Sequence, residues 1–164
     1  MVRPAGAQDV RFLRDMLRHA YYWRMNESAD LPVARYVTNW GRPGDAGLVA
    51  LEGANRVGAA WYRLFPGDEP GFGFVDESTP ELTIAVVPSR RGHGFGHELM
   101  TGLLEQARKD GFEAVSLSVE KDSPAVRLYE RYGFEKVEER GVSWTMRARL
   151  DQAGQGGGGG APTA

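Results

Sequence analysis

Cysteine is absent from the 164 residues. That excludes disulfides, thiolate metal sites and a cysteine nucleophile, and it suits a reducing, cytoplasmic setting. Histidine is scarce: three residues, His19, His93 and His97, do not make a ligand set, so no metal is expected. No apolar run approaches the roughly 18 residues a membrane helix needs, and Met1-Val2-Arg3-Pro4 lacks the apolar core of a signal peptide. Neither sign of charge is in excess, since 20 Lys and Arg stand against 22 Asp and Glu for a formal charge of −2. A near-neutral chain has no global electrostatic reason to bind nucleic acid or an anionic membrane. What remains is ordinary globular composition, 41% hydrophobic and 26% charged, at the length of one domain. The expectation is a soluble cytoplasmic protein.

Glycine is abundant, and five of the 22 are consecutive, Gly156 to Gly160. A stretch that buries nothing cannot offset its ordering entropy, so 151–164 is read as a flexible Gly-rich tail and 1–150 as the domain. Within the domain, Val10, Leu13, Met16, Leu17 and Ala20 recur at helical spacing and predict a helix over 9–22, with weak caps at Gly6, Ala7 and Gln8. A short second helix is predicted over 31–40, with Pro32 in its first turn and Gly41 past its end. Strands follow over 47–52 and 56–64, then a long loop over 65–80 with a short strand at Phe72 to Val75. A strand over 81–87, a helix over 94–110 stopped by Gly111, and a strand over 114–119 come next. Ser123-Pro124 supplies an N-cap and a first-turn proline for a helix reaching Tyr132, and strands over 134–139 and 142–150 close the domain. The fold class is α+β, a mixed central β-sheet flanked by about four helices.

The stretch with chemical content is Val86-Val87-Pro88-Ser89-Arg90-Arg91-Gly92-His93-Gly94-Phe95-Gly96, between a strand and a helix. Alternating glycines let backbone N–H groups converge on a ligand where a helix opens, and such an end is an anion site. Arg90 and Arg91 add donors suited to phosphate. A phosphate-bearing cofactor is therefore indicated. The Gly-Lys-Ser/Thr ending of a P-loop is missing, and the third glycine comes one residue too early for the dinucleotide fingerprint.

Arg91-Gly92-His93-Gly94-Phe95-Gly96 resembles the Arg/Gln-x-x-Gly-x-Gly/Ala signature of the GNAT superfamily of acyl-CoA-dependent N-acyltransferases. Ala125-Val126-Arg127-Leu128-Tyr129-Glu130-Arg131-Tyr132-Gly133-Phe134 is similar to that family's second signature, an Ala-x-x-Leu-Tyr helix closed by Gly-Phe. The resemblance covers roughly residues 2 to 150 and implies acetyl-CoA as donor. It implies that backbone groups of Val86 and Val87 pair with the pantetheine arm and that amides from Arg91, Gly92, His93, Gly94, Phe95 and Gly96 hold the pyrophosphate. It puts Tyr129 near the thioester sulfur, able to protonate the leaving thiolate. Asp122 stands at a cofactor-binding position where the family often has asparagine; it can accept a hydrogen bond but cannot donate an amide proton.

Acyl transfer needs a neutral amine. A lysine-like amine with a pKa of about 10.4 is neutral only to about one part in 10³ at pH 7, a handicap of roughly 4–5 kcal/mol that a base reduces. Glu81, opening the strand that leads to the glycine loop, is the first candidate; its alternative reading is a solvated strand-edge carboxylate. His93 and His97 flank the loop, where structural or ligand-contact roles compete with general base. Tyr129 is either catalytic or simply a core tyrosine with its hydroxyl at the edge. Tyr21, Tyr22, Trp23, Glu27 and Asp30, with Asp68, Glu69, Phe72, Phe74, Asp76 and Glu77, are either an amine pocket or core and solvated surface.

These residues, taken with the resemblance, imply an N-acetyltransferase. It would move an acetyl group from acetyl-CoA to a primary amine of a small molecule or protein, by direct attack in a ternary complex. No cysteine and no obvious serine–histidine pair is present to carry an acyl group. The rivals are a non-catalytic acyl-CoA-binding or sensing module, with no need of Tyr129 or Glu81, and a nucleotide-binding protein. Family members are often monomers or homodimers.

Overall fold

The computed structural model describes residues 1–21 and 33–150. Seven strands, β1 (Val2–Pro4), β2 (Ala46–Glu52), β3 (Asn55–Arg63), β4 (Glu81–Val86), β5 (Ala114–Glu120), β6 (Phe134–Arg140) and β7 (Ser143–Arg149), form a sheet in the order β1-β2-β3-β4-β5-β7-β6. The sheet is mixed: β4 and β5 are parallel, while β1–β2, β2–β3, β5–β7 and β6–β7 are antiparallel. Three α-helices accompany it, α1 (Val10–Ala20), α2 (Phe95–Lys109) and α3 (Ala125–Arg131), with 3-10 turns at Ala7–Asp9, Val33–Tyr36 and Pro88–Arg90. Among the described residues no helix is long and apolar enough to cross a membrane. The chain divides into two compact units, residues 1–63 with 82–105 and residues 64–81 with 106–150.

In the first unit α1 buries Leu13, Met16 and Leu17, the face its periodicity marks. Asp9 stands at its N-cap without a side-chain cap bond; its carboxylate takes the Gly6 N–H at 2.8 Å across the preceding 3-10 turn and binds Arg3 and Arg56. The helix predicted over 31–40 is, among its described residues, only the 3-10 turn Val33–Tyr36. Asn39 enters the left-handed region (φ 57°), and the Thr38 hydroxyl donates back to the Ala34 carbonyl, which favours a turn over continued helix. Among the described residues the α-helices number three, beside the expected about four. Strand β1 has no counterpart in the sequence reading, because three residues ending in proline carry no alternation signal.

A buried ion pair closes this unit. The Arg63 guanidinium, fully buried, donates to Asp45 at 2.7 and 2.9 Å and to the Arg35 and Thr38 carbonyls at 3.0 and 2.6 Å. It also lies 5.6 Å from the Trp40 ring centre. The Arg42, Asp45 and Trp40 region, meaningless in one dimension, is the clamp around that charge.

In the second unit β5, β7 and β6 form an antiparallel meander, with a register shift between Lys136 and Glu138. All of β6 after Phe134 is exposed or half-buried and charge-rich, as an edge strand needs to be to discourage pairing with other chains. The predicted strand at Phe72 to Val75 is absent; turns occupy the segment. Its carbonyls are taken by a side chain instead of a ladder, Arg140 donating to Phe72 and Phe74 at 2.9 Å each. The end of α2 is as the sequence reads: Gly111 is left-handed (φ 85°), and the Phe112 N–H returns to the Ala107 carbonyl at 3.1 Å.

Candidate active site

The glycine loop lies in the first unit. Strand β4 ends at Val86, the Pro88–Arg90 turn reverses the chain, and Gly92 and Gly94 adopt left-handed conformations (φ 82° and 88°) before α2 opens at Phe95. Among the described residues no backbone carbonyl accepts the N–H of Gly92, His93 or Gly94. The first turn of α2 adds the orphan amides every helix start carries. Together they present backbone donors to an anion at a helix N-terminus. Gly96 is informative in another way. Its φ is ordinary, and an added Cβ would meet nothing nearer than Val86 Cγ2 at 4.0 Å. Neither conformation nor packing requires glycine there, and the surface beside its Cα is open.

Two sequence readings of this loop change in three dimensions. Arg90 pairs with Glu52 at 2.7 Å, so its charge is already engaged, and Arg91 donates to the Val86 carbonyl at 3.3 Å. Both backbone groups of Val87 are used internally, its N–H by the Val57 carbonyl at 2.8 Å and its carbonyl by the Arg90 N–H at 2.9 Å. His93 and His97 are both exposed.

Glu81, Asp122 and Tyr129 lie in the second unit. Glu81 is 1% exposed, which overturns its reading as a solvated carboxylate. Its Oε2 accepts the Gly73 N–H at 3.0 Å. Its register partner in β5, Ser116, donates to the Gly73 carbonyl at 2.8 Å. Gly73 is held at both backbone groups, and only glycine fits: an added Cβ would come within 2.6–2.8 Å of the Leu117 and Ser118 backbone.

Tyr129, on α3, is half-buried and packs edge-on against Phe134, with ring centres 5.9 Å apart. Desolvation pushes its hydroxyl up to about 12, so it stays protonated at neutral pH. That hydroxyl makes no hydrogen bond among the described residues, so it stands as an available neutral donor. Asp122 is exposed. The capping contact before α3 comes from Ser123, whose Oγ accepts the Ala125 N–H at 3.1 Å, and the helix itself starts at Ala125, one residue after the proline.

Of the acceptor candidates, Tyr21 is core: its ring lies 5.0 Å from that of Tyr36 and its hydroxyl is 3.1 Å from Thr83 Oγ1. Tyr22, Trp23, Glu27 and Asp30 fall outside the described residues, as does the tail over 151–164. Asp68, Glu69, Asp76 and Glu77 are exposed; Asp76 and Glu77 tighten their own loop by accepting the Ser78 and Gly67 N–H groups. Phe72 is buried and Phe74 half-buried. Gly73, Ser116 and Arg140 were not singled out by sequence, and the only signal available was the glycine between two aromatics.

The model of the acetyltransferase (GNAT) family matches residues 10–134. Mycothiol acetyltransferase of Brachybacterium faecium is 39% identical over 89 residues, covering 54% of this chain and 25% of that protein. The [ribosomal protein bS18]-alanine N-acetyltransferase of Haemophilus influenzae is 36% identical over 66 residues, 40% of this chain and 44% of that protein. The chain thus spans about a quarter of the length of the mycothiol acetyltransferases it matches. Among solved structures, ribosomal-protein-alanine N-acetyltransferase from Brucella melitensis superposes with a TM-score of 0.68 at 24% identity, over 92% of this chain and 99% of that one. The Salmonella typhimurium protein yncA, solved with its cofactor acetyl-CoA, gives 0.68 at 20% identity over 93% and 94%. These likenesses show the fold.

Proposed function

We propose, from the premise that this chain belongs to the acetyltransferase (GNAT) family, that it transfers the acetyl group of acetyl-CoA to a primary amine of a small molecule or protein. The observation that carries this is Gly96, a glycine the fold does not need, on a loop of unclaimed amides at a helix N-terminus. In this reading the amides of 92–96 bind the pyrophosphate, the expected Arg91 amide being held by the Pro88 carbonyl at 3.4 Å, and the Val86 backbone meets the pantetheine arm, Val87 being engaged elsewhere. The domain is 1–150, a monomer or homodimer of the cytoplasm, and Asp122 contributes at most as an acceptor.

Acetyl-CoA supplies an activated thioester. The amine nitrogen attacks its carbonyl carbon, the C–S bond breaks, and the thiolate leaves. Glu81 takes the amine proton. Tyr129 donates a hydrogen bond to the departing sulfur. Full proton transfer from a hydroxyl at about 12 to a thiolate of pKa about 8.5 is uphill by about 5 kcal/mol. The tyrosine therefore stabilises the developing charge, and the thiolate collects its proton from the amine side or from water.

The relatives suggest two acceptor classes, a mycothiol-type small molecule and an alanine of a protein. The test is calorimetric titration with acetyl-CoA, CoA and ATP, followed by a thiol-release screen of spermidine, amino sugars and a peptide with N-terminal alanine. Micromolar acetyl-CoA binding without ATP binding, and turnover with an amine, is the expected result. Cofactor binding with no turnover on any amine favours a sensing module, and tight ATP binding overturns the assignment.

A further inference from the structure

We infer that Arg140 and Ser116 are positioning residues for the proposed base, orienting the Glu81 carboxylate through the backbone of Gly73; this rests on the reading of Glu81 as the base. A carboxylate with 1% exposure has little freedom except what its contacts allow, and the Gly73 N–H donates to Oε2 at 3.0 Å. Gly73 lies in a turn with no ladder of its own, so its placement depends on side chains from other strands. Ser116 on β5 fixes its carbonyl at 2.8 Å. Arg140, the last residue of β6, holds the carbonyls on either side of it, Nη1 on Phe72 and Nη2 on Phe74, at 2.9 Å each.

The geometry suits arginine in particular. Two terminal nitrogens of one planar guanidinium span two carbonyls two residues apart, and the same Nη2 is braced by Glu138 at 2.9 Å. A lysine ammonium cannot reproduce that fork. The close seat of Gly73 on Leu117 and Ser118 means the loop has one register on β5. Releasing the fork lets the glycine lift and the carboxylate turn, and misplacement of about 1 Å costs up to about 10²-fold in rate.

The experiment is a double-mutant cycle with Arg140→Gln, Arg140→Lys, Ser116→Ala and Glu81→Gln, using acetyl-CoA and an amine from the screen above. Each Arg140 variant is expected to lower kcat about tenfold while leaving KM for acetyl-CoA within about twofold, with Ser116→Ala smaller in the same direction. In the Glu81→Gln background these variants are expected to have no further effect on kcat. Hydrogen exchange of the Gly73 amide, which needs no activity, is expected to quicken by about tenfold in Arg140→Gln. Additive losses in the Glu81→Gln background, or unchanged Gly73 exchange, overturn the inference while leaving the acetyltransferase reading intact. Wild-type kcat in Glu81→Gln overturns it through its premise. Failure of the wild-type protein to bind acetyl-CoA overturns the enzyme reading and the positioning role together, whatever the exchange at Gly73.

Discussion

Glu81 and Ser116 face each other across the parallel β4–β5 pairing and take the two backbone polar groups of one residue, Gly73, at 3.0 and 2.8 Å. The relationship ties a long loop to the strand that leads into the glycine loop. It also turns a carboxylate that sequence alone leaves ambiguous into a buried, aimed group. Ser116 lies 43 residues beyond Gly73 in the sequence, and Glu81 only 8.

Gly96 separates binding from folding. Alanine there meets open space at an ordinary φ, so Gly96→Ala is expected to stabilise the protein by about 0.5–1 kcal/mol through helix propensity while weakening acetyl-CoA at least tenfold. Thermal unfolding and calorimetry on the same sample check both halves. Gly94→Ala, at φ 88°, is expected to lose about 1–2 kcal/mol of stability instead.

Tyr129→Phe removes a hydrogen bond to a developing charge, worth about 1.5–3 kcal/mol, and is expected to lower kcat by roughly 10–150-fold. Acetyl-CoA affinity is expected to stay within about twofold. Because the hydroxyl is held at about 12, the rate is expected to rise with pH as the acceptor amine deprotonates and to show no alkaline loss below about pH 10. A tyrosine-dependent fall near pH 9 in stopped-flow assays would refute the assignment.

Arg63 and Asp45 are fully buried partners. Removing one leaves the other charge stranded, so Arg63→Met or Asp45→Leu is expected to cost about 3–5 kcal/mol. The double variant Arg63→Met/Asp45→Leu is expected to cost clearly less than the sum. Urea midpoints of the four proteins measure the coupling.

The Arg3 guanidinium, with the Gly6 amide and Arg56, holds the Asp9 carboxyl well below the usual carboxylate range, against the opposing effect of burial. Its folded value lies below its unfolded one of about 3.9, so its stabilisation is complete above that pH and is lost as pH falls further. Asp9→Asn is expected to be less stable at neutral pH and to lose less stability on going from about pH 4 to pH 2. Chemical unfolding across that range is the measurement, and parallel curves for the two proteins count against it.

Elements with a local signal were legible. The 3.6-residue spacing of Leu99, Met100, Leu103, Leu104 and Ala107 predicts α2 and its buried face, and Gly111 its end. The glycine loop, with a strand before and a helix after, was visible as a family signature. Where local signals were thin they misled. Phe72 to Val75 alternates weakly enough to suggest a strand, yet its carbonyls belong to Arg140, 66 and 68 residues away. The expected helix over 31–40 carries helical residues, yet Asn39 turns left-handed and the Arg35 and Thr38 carbonyls go to a buried arginine that nothing in the pattern foretold.

The sequence by itself determined what depends on neighbours along the chain: helix faces, glycine stops, the exclusion of cysteine chemistry, and the glycine loop between β4 and α2. Only the tertiary structure decided which polar side chains are buried and what they hold. Arg63 and Glu81 are ionisable side chains buried against partners that the fold brings to them, Asp45 for the Arg63 guanidinium and the Gly73 amide for Glu81 Oε2. Burial of a charge depends on such compensation, and compensation is a matter of distance in space. The Ser116 hydroxyl reaches the Gly73 carbonyl across a separation of 43 residues, and no periodicity in the sequence encodes a contact of that range.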